Sequence, residues 1–313
     1  LLTLTERSIR YKIDEINEEL GTKKIEIKKR EFFSSLTDED MTKLVENVEG
    51  ENILVEETRN AILQQIDWQC EVKTLFRAKN LGCCMGVYTA INWFFKNEDK
   101  GIIIEDDCVL QSSFFPFAEE LLHRYEHDER IAMIDAANYI KNVDIPDSYG
   151  FSRFKSTNGW ATWKRAWEKM DLNMEWKNSP YFESIIKNNG YNGKDTHYWK
   201  YRIKAIEQNY VSAWDWQWYF TMAAYNQLSI YPKISLISNI GFGEGATHTT
   251  VSIIPDQYKT NSEIDFPLQH PKYIVPYEDF EYSFYKNNNT FRNSILQLIP
   301  FCLKTKLKKW LRR

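Results

Sequence analysis

The chain has 313 residues, 43% of them hydrophobic and 15% aromatic, enough for one large domain or two small ones with a sizeable core. A formal net charge of −4 supplies no global basic field, which argues against nucleic acid as a partner. Five cysteines, at 70, 83, 84, 108 and 302, form no Cys-x-x-Cys pair, so a zinc cage or disulfide framework is not expected and a reducing compartment is.

In chain order, "LLTL" reads as the remainder of a strand. "RSIRYKIDEINEELG" carries apolar residues at helical spacing and stops at Gly21. "KKIEIKK" alternates as a short strand, and residues 30–50 read as polar, acidic loop with a helical turn. "NAILQQIDW" reads as helix, "CEVKTLFR" as strand and "GVYTAINWFFKN" as helix. "KGIIIEDD" is a buried strand, "SSFFPFAEELLHRYEHD" a helix capped by Ser112 or Ser113, and "RIAMIDAAN" another strand. This alternation predicts an α/β fold with a mostly parallel central sheet and helices on both faces. From about 141 the pattern turns irregular and rich in Trp, Tyr and Asn, with helical segments near 162–170 and 214–226 and a strand-like "SIYPKISLIS". The division expected is a first half over 1–140, a second half of the same domain over 141–275, and a tail over 276–313. No run approaches a membrane span in length, and no signal peptide is visible.

Glu105, Asp106 and Asp107 stand side by side at the carboxyl end of a predicted strand, where ligands bind in open parallel sheets. Adjacent carboxylates repel one another and are costly to desolvate. They are either a solvated turn before the helix near Ser112 or oxygen ligands for a divalent cation.

Together, "LFRAKNLGCCMGVYTAINWFF" and "GIIIEDDCVLQSSFFPFAEELLHRYEHDERI" resemble the nucleotide-sugar glycosyltransferases of the GT-A fold, Rossmann-like in architecture. "GWATWKRAW", "WDWQW" and "SNIGFGEGATHT" look like later blocks of the same family, so the similarity spans residues 65–275. The resemblance implies sugar transfer from a nucleotide-diphosphate donor, UDP being the commonest carrier, to a glycan or lipid-linked acceptor. It also implies Mn²⁺ or Mg²⁺ bridging the diphosphate. Asp107 would ligate the metal, and His248 would complete its site. Glu105 and Asp106 would meet donor hydroxyls or a metal-bound water, and Arg77 and Asn80 would lie against the nucleotide. Thr3, Thr5 and Glu6, at the end of the first strand, would contact base or ribose.

An inverting transferase needs a general base for the acceptor hydroxyl, and Asp215, between Trp214 and Trp216, is the candidate. Its other reading is a helix cap. Asp195 is a second choice of base. Gly159, Trp160, Thr162, Trp214 and Gly243 are assigned to the sugar or acceptor pocket, whereas Trp163 and Trp167, four apart, read as core. Where related sequences often carry Asp-Gly after the second strand, this chain has Lys28, Lys29 and Arg30, which leaves the donor base open. The tail 294–313 combines an apolar stripe with basic residues and no acid, the pattern of an interfacial helix or of one packed on its own domain or on another subunit. A cytoplasmic enzyme, peripheral on the inner membrane face and able to self-associate, is expected. The rival readings are a sugar-nucleotide nucleotidyltransferase and a non-catalytic glycan-binding homologue. The absence of glycine in "LTLTERSIR" speaks against the first.

Overall fold

The computed structural model describes residues 2–3, 51–66, 69–77, 80–140, 143–209, 211–212, 214–241, 259–260 and 262–288. Thr5, Glu6, the basic residues 28–30, Gly243, His248 and the tail 294–313 lie outside the described residues.

The fold is mixed α/β. β1 (Leu2–Thr3) and α1 (Glu51–Gln65) come first. Then α2 (Gly82–Phe94) leads into β2 (Lys100–Glu105), whose β-branched Ile run favours extended backbone. β3 (Cys108–Leu110), α3 (Phe114–Arg124) and β4 (Ile131–Asp135) follow. β5 (Tyr149–Ser152), β6 (Trp160–Trp163) and α4 (Lys164–Trp167) occupy the stretch that looks irregular in sequence. After α5 (Phe182–Asn188), α6 (Thr196–Glu207) and α7 (Asp215–Ala224) come β7 (Leu228–Pro232), β8 (Ile237–Asn239) and α8 (Glu278–Asn288).

Five strands form the main sheet in the order β2-β6-β4-β7-β5, and β1 pairs in parallel with the free edge of β2. β2–β6, β4–β6 and β5–β7 are antiparallel, and β4–β7 is parallel. The described sheet is therefore mostly antiparallel, which corrects the mostly parallel arrangement predicted from strand–helix alternation. Alternation implies parallel neighbours only when consecutive strands lie side by side. Here β6 inserts between β2 and β4 and runs against both. Residues 70–77, predicted as a strand, have no regular structure. β3 and β8 form a separate two-stranded ribbon.

β4, β5, β6 and β7 are buried at every position, so both faces of the sheet are covered. On one face Phe114, Phe117, Ala118, Leu121 and Leu122 of α3 pack with Ile134, Phe151, Trp163 and Ile230. On the other, Val87 and Ile91 of α2 meet Ile103, Met133, Trp160, Trp167, Trp214 and Trp218. The Ser hydroxyls do not cap α3. Instead the Glu263 carboxylate accepts from the Ser113 backbone N–H (2.8 Å) and the Ser112 hydroxyl (2.9 Å), which holds it below its ordinary pKa. Interleaving brings both expected halves into one sheet. Residues 276–288 join it as well, through the Phe151–Pro276 bridge and Glu281.

Candidate functional site

The carboxylate triplet sits where β2 ends. Glu105 is the last residue of the strand, opposite Thr3, and Asp106 and Asp107 form the turn into β3. The turn is fixed from behind: the Ile240 N–H donates to the Asp107 carbonyl at 2.9 Å, and Cys108 pairs with Asn239. Oxygen atoms of Glu105 and Asp107 and the sulfur of Cys108 lie within 4.8 Å of one another. The Cys108 thiol donates to Asp107 Oδ1 at 3.4 Å. Burial, then the charges of Asp107 and Glu105, push that thiol well above its ordinary pKa. A protonated thiol is a poor ligand, so the usable donors are the two carboxylates. Two hard oxygens suit Mg²⁺ or Mn²⁺, which commonly takes its remaining ligands from water and substrate phosphate.

Two helix starts converge on this turn. Gly82 begins α2 with φ +72°, and the Asn80 side chain accepts its N–H at 2.8 Å. The next residue, Cys83, is exposed, and its thiol is pushed up to about 12 by partial desolvation and then by Glu105, Asp215, Cys84 and Asp106. That thiol senses the carboxylates at the end of β2 and at the start of α7 together, although those residues lie 110 positions apart in sequence. Ser212, just before α7, accepts the Cys84 N–H at 3.3 Å and ties the two helix starts.

Asp215 opens α7 and is half-buried. Burial pushes its carboxyl up to about 6, against the opposing pull of the Trp216 and Asp215 backbone N–H groups and of Arg202. It is partly desolvated yet still reachable from solvent, as a general base requires.

The other predicted residues are placed differently. Arg77 is exposed and donates to the Thr89 hydroxyl at 3.0 Å, while its carbonyl accepts from Arg59, so it braces α1 against α2. Asn80 starts α2. Trp160 and Thr162 have no accessible surface and Trp214 keeps 2%. Thr162 donates to the Ala132 carbonyl at 2.6 Å. Trp160, Trp167, Trp214 and Trp218 pack as one cluster with ring centroids 5.2–6.2 Å apart. These residues shape the site from behind its surface. Gly159 turns the chain into β6 with φ +66°, and a side chain there would meet Ile237 at 2.7 Å. Asp195 is buried and accepts from the Trp199 indole at 3.1 Å.

Sequence reasoning did not single out Cys83, Tyr219, Asp135, Lys155 or Arg202. Tyr219, one turn along α7, feels Asp215, Asp135 and Glu105 and donates or accepts at the Thr157 hydroxyl (3.4 Å). Asp135 ends β4 as Glu105 ends β2, a strand-end carboxylate that the same rule could have found. It lines a small cavity of about 10 Å³ with Lys155, Tyr231 and Phe280, room for about one water molecule.

Compared with known proteins, the chain matches no protein-family model, and no curated protein is significantly similar to it.

Proposed function

We propose that the chain is a GT-A-type glycosyltransferase that moves a sugar from a nucleotide-diphosphate donor to a glycan or lipid-linked acceptor, with inversion. The observation that supports this best is the convergence of Glu105, Asp106 and Asp215 on the Cys83 thiol. It puts a carboxylate turn suited to a dication in the same neighbourhood as a carboxyl with raised pKa. Donor activation and acceptor deprotonation need those two elements together.

In this reading Asp215 takes the proton of the acceptor hydroxyl as that oxygen attacks the anomeric carbon and the sugar–phosphate bond breaks. Glu105 and Asp107 would hold the cation, and Asp106 would orient the donor. A bound Mn²⁺ or Mg²⁺ would neutralise the charge that develops on the leaving diphosphate. The amino-terminal end of α2 adds a positive dipole end beside the turn.

The test is a thermal-shift screen of nucleoside diphosphates and nucleotide-sugars, with and without Mn²⁺. A donor present at about a hundred times its Kd should stabilise the protein by about 2.7 kcal/mol, and only with metal. Asp107→Ala should abolish that shift and leave the Tm of the ligand-free protein unchanged. If no nucleotide or nucleotide-sugar gives a metal-dependent shift, the reading is wrong.

A further inference from the structure

Beside the candidate base stands an arginine that the mechanism above does not use. Arg202, in α6, places its guanidinium 4.2 Å from the Trp216 ring centroid and 4.7 Å from that of Tyr198. Attraction between a planar cation and the two ring faces holds it in place. Trp216 directly follows Asp215, and the Arg202 charge reaches the Asp215 carboxyl and favours its ionised form. Other cations nearby are committed: Lys200, on the same helix, pairs with Glu183 at 2.5 Å, and Lys177 with Glu207 at 2.6 Å. The Arg202 Nε, by contrast, is buried without a hydrogen-bond partner, and among the described residues no carboxylate forms an ion pair with the guanidinium. Tyr198, Arg202 and Trp216 are all half-buried, so a ligand can reach the guanidinium through its terminal nitrogens, though not through the buried Nε. A guanidinium that is held in place with no carboxylate in ion-pair contact is preorganised for a carboxylate or phosphate, because little side-chain freedom is lost on binding.

We infer that Arg202 selects an acceptor carrying an anionic group, a carboxylate or a phosphate, next to the hydroxyl presented to Asp215. The inference rests on the transferase reading, which puts the acceptor at Asp215. The charge logic is local. An anionic acceptor approaching an ionised Asp215 is repelled, and a fixed cation beside that carboxylate offsets the repulsion.

The test follows the Trp216 indole N–H in two-dimensional spectra, assigned through Trp216→Phe. The titrants are methyl glucuronide for the carboxylate, glucose-6-phosphate for the phosphate, methyl glucoside as the neutral control, and UDP. The expected result is a saturable shift with one or both sugar anions and none with methyl glucoside. The stronger response identifies the anion. Arg202→Met, which keeps an apolar stem between the rings, should remove the response without lowering Tm. Arg202→Lys should weaken it about tenfold, because a point charge cannot donate in bidentate fashion. Equal shifts with methyl glucoside, no shift with either anion, or an unchanged response in Arg202→Met would overturn the inference. So would a response to UDP alone, which would move Arg202 to the donor. Donor turnover is scored separately. Anion binding without turnover of any nucleotide-sugar removes the transferase reading alone, and turnover without anion preference removes this inference alone.

Discussion

At the scale of single residues, the site turns on how burial changes the basicity of Asp215. With a pKa of about 6, this carboxyl is ionised only above that pH, so transfer should rise as pH climbs through 6 and level off above it. Stability should move the opposite way. Because the folded-state pKa is raised, the favourable contribution is complete below the unfolded value near 4 and is lost as pH rises through about 6. Asp215→Asn removes that loss. It should abolish transfer, leave nucleotide affinity nearly intact, and raise stability by about 1–2 kcal/mol at pH 8 but not at pH 4, as read by denaturant unfolding. Near-normal turnover in this variant would rule Asp215 out as the base. Asp107 and Asp215 could be picked from sequence because strand ends and helix starts are readable. That Glu105, Asp106 and Asp215 all act on Cys83 could not, because it depends on where the start of α2 is packed. The indole rings misled for a related reason. Trp160 and Trp214 look like pocket walls beside a glycine, but whether a ring faces solvent or core is decided by the neighbours that cover it.

At the scale of elements, β2, α2, α3 and β4 are legible in the sequence because each has strong periodicity or a β-branched run. β5 and β6 are not. Both are four residues long and buried at every position, so they lack the alternation that marks a half-exposed strand. α6 carries Tyr, Trp and Lys at mixed positions and reads as loop. Missing β6 also led to the wrong sheet direction, since β6 is the antiparallel strand between β2 and β4. Its entry depends on Gly159, whose positive φ and close approach to Ile237 and Leu110 exclude a side chain. Gly159→Ala should therefore cost about 2–3 kcal/mol from backbone strain and overpacking together. A chemical denaturation midpoint equal to wild type would show that the turn can relax.

At the scale of the whole molecule, a buried charge cluster ties the ends of the sheet to the last described helix. Glu281 is fully buried. It accepts the Arg153 backbone N–H at 2.6 Å and its guanidinium at 2.9 Å, fastening α8 to the end of β5. Lys155, two residues on, donates to the Asn189 side chain (2.9 Å) and the Tyr219 carbonyl (3.3 Å), and so links this region to α7. Burial pulls the Lys155 ammonium down to about 7, against Glu281, Asp135 and Asp195, while burial holds Asp135 well above its ordinary value. Between pH 7 and 9 the unfolded chain keeps a proton on Lys155 that the folded one sheds, so Lys155 contributes a rise of about 2 kcal/mol in stability across this window, opposed by the raised thiols of Cys83 and Cys108. Lys155→Met should flatten that rise. Parallel pH profiles of the denaturation midpoint would show that Lys155 is not its source. No helix among the described residues is long and apolar enough to cross a membrane. The four-indole cluster behind the site has an optical consequence. Rings this close couple their electronic transitions, and Trp214 and Trp218 belong to the turn and helix that present Asp215. The protein thus carries its own chromophore for the site, and near-ultraviolet circular dichroism should register a ligand settling against α7 without any added dye.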